Sequence, residues 1–267
     1  MKVYSHSLQG KRPTQEDQHI ININPNIKNS SQILNNINLI GVFDGHGGKT
    51  VSYYLKKNLS QFYFIKSNYN HNIFLKTYLF KRYTEHIFDI LQNELKETHP
   101  RASEYCGSTA CIAIHTPDNI LWVVNVGDSR AVLCDKNGNA KQLSIDHKPN
   151  VPDEKKRIES LGGKIVFDGN DWRIKSLSLS RAFGDLDCTP YVTHVPDIFK
   201  YKINSDDKFI IIACDGLWDV LNNQVAVDYV KNLLLKNIKV NYAEKLASYA
   251  LAKGSTDNIT VVVYFFL

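Results

Sequence analysis

Between Cys111 and Cys134, three runs rich in apolar and β-branched residues follow one another with almost nothing between them. Cys111–His115 gives way to Thr116-Pro117-Asp118-Asn119 and then to Leu121–Val126; Gly127-Asp128-Ser129 leads into Ala131–Cys134, and Asn137-Gly138 marks a further hairpin. Connections this short leave no room for a crossover, so the runs pair antiparallel. Strands are expected over Phe209–Cys214 and Ile259–Phe266, and within them Ile210–Ala213 and Val261–Val263 are apolar on consecutive positions, which predicts cover on both faces. Helical periodicity supplies the cover. Leu75, Leu79, Tyr83, Ile87 and Leu91 recur at helical spacing inside a helix expected over Phe74–Leu95. An earlier helix is expected over Lys49–Ile65. A later one carries Val225, Tyr229, Val230, Leu233 and Leu234 behind a cap at Asn222 or Asn223, and a last spans Tyr242–Lys253. Antiparallel sheets with helices packed outside them make a layered α+β domain. No linker divides residues 1–267, which read as one domain, and the Asn-rich stretch Asn22–Asn38 reads as a surface loop.

Composition narrows the classes. A chain of 267 residues with 43% hydrophobic content can bury one large core. No apolar run approaches the roughly 18 residues of a membrane span, and Met1–Arg12 lacks the apolar stretch of a signal peptide. A cytoplasmic setting is expected, with nuclear entry left open. The five cysteines form no CxxC pair, which argues for reduced, buried thiols over a disulfide framework or a zinc ribbon. A net charge of +5, with lysines interspersed among acids, is a weak footprint for nucleic acid.

The residues that carry chemistry are acids at the ends of apolar strands. Leu39–Phe43 runs straight into Asp44-Gly45-His46-Gly47-Gly48, and Phe209–Cys214 into Asp215-Gly216-Leu217-Trp218-Asp219. A carboxylate at the mouth of a buried strand loses hydration and tends to protonate unless a cation or strong donors face it. One Asp-Gly pair would read as a turn. Several together, with Glu16-Asp17 opening an early strand, Asp146 opening Asp-His-Lys-Pro and Asp257 preceding the last strand, point to hard divalent cations held by oxygen.

The string Gly10-Lys11-Arg12-Pro13-Thr14-Gln15-Glu16-Asp17 resembles the opening motif of the metal-dependent protein serine/threonine phosphatases of type 2C. Further blocks resemble that family in its order: FDGHGG at 43–48, GSTA at 107–110, GDSRA at 127–131 and DHKP at 146–149. Arg157-Ile158 with Gly162-Gly163, SRAFGD at 180–185, CDGLWDV at 214–220 and GSTDNIT at 254–260 complete the set. The resemblance covers essentially the whole chain and implies an α-β-β-α sandwich, in agreement with the pattern of runs. Lys175-Ser176 departs from it where a glycine is usual, and the segment is one residue short, so the form of the flap from about Gly163 to Leu177 is not set by the family pattern. Within it, Trp172 reads as a half-buried packing aromatic rather than a partner-binding knob.

The resemblance also implies roles. Asp44 would bridge two magnesium or manganese ions with the Gly45 carbonyl completing one site, Asp215 and Asp257 would bind the other ion, and Glu16 and Asp17 would act through bound waters. Such a pair of ions activates water for in-line attack at phosphorus. Arg12 would hold the phosphoryl oxygens as a planar fork, and His46 would protonate the departing serine or threonine oxygen. Asp146 matches the position of a third, weaker metal, with capping of a helix near Pro152 as its rival role. Asp128, Arg130, Ser180, Arg181 and Asp185 are expected to hold turns and strands, and Asp219 to steady waters near Asp215. The substrates implied are phosphoserine and phosphothreonine proteins, and a monomer is the expected state. Against this stand a phosphoprotein-binding scaffold without strong activity, which would be expected to lose metal aspartates, and a metal-dependent nuclease. No cysteine has an arginine six positions on, as a cysteine phosphatase requires; Gly48-Lys49-Thr50 resembles the end of a nucleotide loop whose first glycine falls on Phe43.

Overall fold

A computed structural model describes residues 1–23, 37–64, 72–237 and 239–266; most of the stretch Asn22–Asn38, expected as a loop, lies outside them, as does Ile65, the expected end of the first helix. Strands β1 (Lys2–Leu8), β2 (Gln18–Asn22), β3 (Asn38–Phe43), β4 (Ala110–His115), β5 (Ile120–Val126), β6 (Arg130–Cys134), β7 (Ala140–Gln142), β8 (Asp197–Lys202), β9 (Phe209–Ala213) and β10 (Ile259–Phe265) build two five-stranded sheets. One runs β1-β10-β9-β6-β7, the other β8-β5-β4-β3-β2, and every pair is antiparallel. The short connections after β4 and β5 act differently. The first closes a hairpin, pairing Ala110 with Val126, whereas Gly127-Asp128-Ser129 carries the chain from one sheet to the other.

Alternation along each strand sorts side chains between two environments. Ile40, Val42, Ala113, Leu121, Val123, Ile210, Ile212 and Val262 meet between the sheets. Their neighbours Leu39, Phe43, Ile112, Ile114, Trp122 and Val124 face helices α1 (Thr50–Phe64) and α2 (Thr77–Thr98), while Phe209, Ile211, Val261 and Val263 face α3 (Asn223–Leu235) and α4 (Tyr242–Ala252). Consecutive apolar positions in β9 and β10 follow from this, because both faces are covered. The Asn222 side chain caps α3 by accepting from Val225 N–H at 2.9 Å. The buried face of α3 carries Ala226, Val227 and Val230, while Val225 is exposed.

The long helix is shorter at its start than its periodicity predicts. Lys76 is extended (φ −103°, ψ 117°), a separate turn covers Asn72–Leu75, and Leu75 is exposed. Trp122 Nε1 donates to the Phe74 carbonyl (3.1 Å), an oxygen that a continuous helix would bond to the fourth residue on. That bond seats Phe74 against the core, and the buried face of α2 becomes Phe80, Thr84, Ile87, Phe88, Leu91 and Leu95.

The segment before β8 forms a satellite with its own small core of Ile158, Ile174, Leu179, Ala182, Cys188 and Val192. It holds helix Pro152–Ser160 and a hairpin of Ile165–Phe167 with Trp172–Ile174. Trp172 is 42% exposed and packs on Phe167, ring centroids 5.3 Å apart. On the helix, Glu154 receives Arg181 (2.5 Å), Arg157 (2.8 Å) and Ser180 Oγ (2.7 Å). Burial alone would raise its carboxyl; the two guanidinium groups and the hydroxyl outweigh that and hold it at about 2. A depressed carboxyl stabilises the fold above its ordinary value of 4.5 and loses that contribution as pH falls toward 2. Glu154→Gln is therefore expected to cost about 3 kcal/mol at pH 7. In urea denaturation at acid pH, the gap to the wild type should narrow.

Candidate active site

Five strand mouths open at one end of the sandwich. β3 ends at Asp44, β9 at Asp215, β5 at Gly127-Asp128, Asp17 precedes β2 and Asp257 precedes β10. Arg12, Glu16, Asp44, Gly45, His46, Asp215 and Asp257 line one cleft of about 650 Å³, together with Asp128 and Asp219. Carboxylate oxygens of Asp44, Asp128 and Asp215 all lie within 4.8 Å of one another, and so do ligand atoms of Asp17, Asp44 and Cys214. Asp44 belongs to both groups. Close approach here needs glycine at Gly216, where a Cβ would sit 2.0 Å from the Asn258 carbonyl and push the Asp215 and Asp257 loops apart.

Such crowding is costly without counter-charge. Burial, then the charges of Asp17, Asp215 and Asp128, push the Asp44 carboxyl well above the carboxylate range; burial, then Asp128 and Asp219, do the same to Asp215. Asp17 is 2% exposed, and neither of its oxygens accepts a hydrogen bond of good geometry. Burial raises it to about 6 although Thr260, Cys214 and Asp44 lie close enough to offset part of the effect. The Cys214 thiol is driven up by burial and by the same aspartates, and it donates to the Asn258 carbonyl, so oxygen dominates the donor set. Orphaned, mutually repelling carboxylates fit hard divalent cations such as magnesium or manganese.

Around the acids, partners set each side chain. Glu16 accepts from Gly48 N–H (3.0 Å) and Thr14 Oγ1 (2.9 Å). Arg12 Nη2 pairs with Asp257 Oδ2 at 2.6 Å at the open mouth. His46 Nε2 meets Asp185 Oδ2 at 2.7 Å, a contact that leaves no room for a side chain at Gly107, where a Cβ would stand 2.0 Å from that carboxylate. Burial works to lower the imidazole pKa; Asp185, helped by Asp128 and Glu16, outweighs it and the net shift is upward.

Asp146 stands apart. It does not line the cleft and joins neither carboxylate group; Arg130 grips both its oxygens (Nε–Oδ1 3.0 Å, Nη2–Oδ2 2.5 Å). Nor does it cap the helix at Pro152, whose N-cap is Val151 without a side-chain bond. Its neighbours serve the same loop: His147 Nδ1 receives Gly127 N–H (3.0 Å) and Lys148 Nζ pairs with Asp128 at 2.5 Å. Asp128 is thus nearer the chemistry than its expected role in a turn, and the signal was present, since Val126-Gly127-Asp128 repeats the strand-to-acid step seen at Asp44. Asp185 likewise reaches the site through His46, whereas Ser180 and Arg181 sit on Glu154. From the satellite hairpin, Asn170, Asp171 and Arg173 also border the cleft.

A family model described as Protein phosphatase 2C matches residues 1–259. The chain belongs to the protein phosphatase 2C family. A PP2C-like domain-containing protein of Acanthamoeba polyphaga mimivirus is 52% identical over 55% of this chain and 94% of its own length. Probable protein phosphatase 2C 7 of Oryza sativa subsp. japonica is 40% identical over 98% of this chain, which spans 64% of that relative. Serine-threonine phosphatase 2C from Toxoplasma gondii superposes with a TM-score of 0.79 at 26% identity, covering 98% of this chain and 94% of the other. The α+β layers are those of a protein phosphatase domain, and the metal dependence of the 2C family agrees with the acidic groups at its mouth.

In the metal-free domain, Asp17 binds a proton more tightly folded than unfolded, so stability falls as pH rises from the ordinary 3.8 through about 6. Thermal melts in chelator should drop over that interval, and Asp17→Asn should flatten the drop. Manganese should restore the melting temperature at pH 7, by about 2.7 kcal/mol at a hundred times its dissociation constant.

Proposed function

We propose that this phosphatase domain hydrolyses phosphoserine and phosphothreonine in proteins with two magnesium or manganese ions held among Asp17, Asp44, Asp128, Asp215 and Asp257. The observation that carries the reading is the membership of Asp44 in both groups of close ligand atoms, with Asp17 and Cys214 and with Asp128 and Asp215, which suits a residue shared between two cations. Bound there, such ions lower the pKa of a water and stabilise in-line displacement at phosphorus. Glu16 is held by Thr14 and Gly48 beside them, with the Gly45 carbonyl as a further oxygen donor.

The chain's own groups complete the chemistry. Arg12 presents a rigid fork of donors at the mouth, suited to phosphoryl oxygens. Its bond to Asp257 holds it over the cleft, and cation binding by Asp257 would free it for substrate. Asp185 holds His46 through Nε2 and favours its protonated form, leaving Nδ1 to deliver a proton to the departing serine or threonine oxygen. A third cation at Asp146 is not part of the proposal, because Arg130 already satisfies that carboxylate. The scaffold reading is disfavoured by the same convergence of acids, which a binding module would have no reason to keep.

Turnover of a phosphothreonine peptide should require manganese, vanish in chelator and fall about 10³-fold in Asp44→Asn. Activity surviving the chelator would sink the metal mechanism. His46→Gln should slow the peptide about 10²-fold while leaving p-nitrophenyl phosphate, whose leaving group needs no proton, within a few-fold of wild type. Equal loss on both substrates would assign His46 a structural role.

A further inference from the structure

At the far end of the sandwich lies a second concavity, of about 460 Å³, within the size range of ligand pockets. Its lining joins β1, β10, α3 and α4. Tyr4, Tyr242 and Phe265 meet edge to face, with centroids 5.1, 5.9 and 5.2 Å apart, and Leu234 and Leu235 close the side. Leu235 is 81% exposed. The charges around this apolar lining are all of one sign: Lys2, Lys208 and Lys231, with no acid among the described lining residues. Lys231 is engaged by Asp228 (3.0 Å) and the Gly138 carbonyl, whereas Lys2 and Lys208 make no ion pair among the described residues.

An aromatic core inside a charged rim is the anatomy of a protein-docking spot. The free ammonium groups sit on two different elements, Lys2 at the start of β1 and Lys208 just before β9, at surface level and not on the floor. Lys2 pairs with Phe265 from one side of β10 and Phe209, next to Lys208, pairs with it from the other, so the two lysines flank the aromatic floor about 10 Å apart, a spacing matched by acids on either side of one anchor residue. We propose that the pit docks an acidic segment of a partner protein, one bulky apolar residue filling the aromatic floor and flanking Asp or Glu side chains reaching Lys2 and Lys208.

The site is separate from the chemistry. β9 has Lys208 at one end and Asp215 beyond the other, so at about 3.3 Å per residue its five residues set the pit roughly 17 Å from the acids. Docking is therefore measurable without turnover. Fluorescein-labelled peptides with Phe, Leu or Trp between pairs of glutamates, titrated into the domain and read by fluorescence anisotropy, should bind saturably and weaken as salt rises. Replacing the central residue by Ala, or the glutamates by Lys, should weaken binding at least tenfold. Lys2→Glu with Lys208→Glu should do the same, and Leu235→Asp should cost several-fold, both variants keeping wild-type melting temperature and p-nitrophenyl phosphate turnover. The proposal is overturned if no glutamate-flanked peptide saturates, if the lysine-flanked peptide binds equally, or if the charge-reversed variant binds like wild type. It is equally overturned if sodium dodecanoate binds one to one at the pit while the peptides do not, which would make it a site for a single-headed amphiphile.

Discussion

Asp44, Asp128 and Asp215 repel one another across a few ångströms at the floor of a cleft, with Asp17 buried beside Asp44, and much of the molecule is arranged to keep them there. Each is anchored by a strand that cannot move without opening a core. β3 and β9 are buried along their whole length, and their alternate residues lock both the seam between the sheets and a helix layer. Separating Asp44 from Asp215 would mean sliding one sheet over the other. The burial that holds Asp17, Asp44 and Asp215 also raises their proton affinity, so the same packing that builds the cluster creates its demand for cations.

Positive charge near the cluster comes from side chains placed to relieve it without occupying it. Lys148 neutralises Asp128 from one side, where burial opposes the charge of its ammonium and Asp128 and Asp215 outweigh that to hold it protonated. Arg12 leans on Asp257 from the mouth, and Arg130 takes Asp146 out of the cluster. The Asp-His-Lys-Pro block clamps the Gly127–Ser129 turn through His147 and Lys148. The satellite built on Glu154, Arg157 and Arg181 stands over this arrangement with its hairpin bordering the cleft, held by ion pairs instead of by the main core.

The layered architecture was legible because it rests on local features. The short connections at Thr116–Asn119 and Asn137-Gly138 demanded antiparallel pairing, although the equally short Gly127–Ser129 turn crosses between the sheets, and apolar runs at Phe209 and Ile259 demanded cover on both faces. Strand-end acids at Asp44, Asp215, Glu16 and Asp257 announced the site by their position alone, and the ordered motifs extended it to Arg12 and His46. Helix faces were read less well. Leu75 fitted the period, yet long-range bonds from Trp122 to the Phe74 carbonyl and from Lys200 to the Leu75 carbonyl accompany a break at Lys76.

Local pattern was thus enough to specify the elements and the chemical type of the site, since periodicity, turn residues and desolvated acids act within a few residues of one another. Which acids share space depends on packing over long range. Asp128 and Asp146 lead similar short polar blocks, but the crossing of the chain between the sheets at Gly127 brings Asp128 against Asp44 and Asp215, while Arg130 draws Asp146 away. The aromatic pit was equally hidden, because Tyr4, Tyr242 and Phe265 come from distant parts of the chain and meet only when β1 closes against β10 and α4 packs over both. Such meetings are set by how the sheets stack and register, which no local pattern encodes.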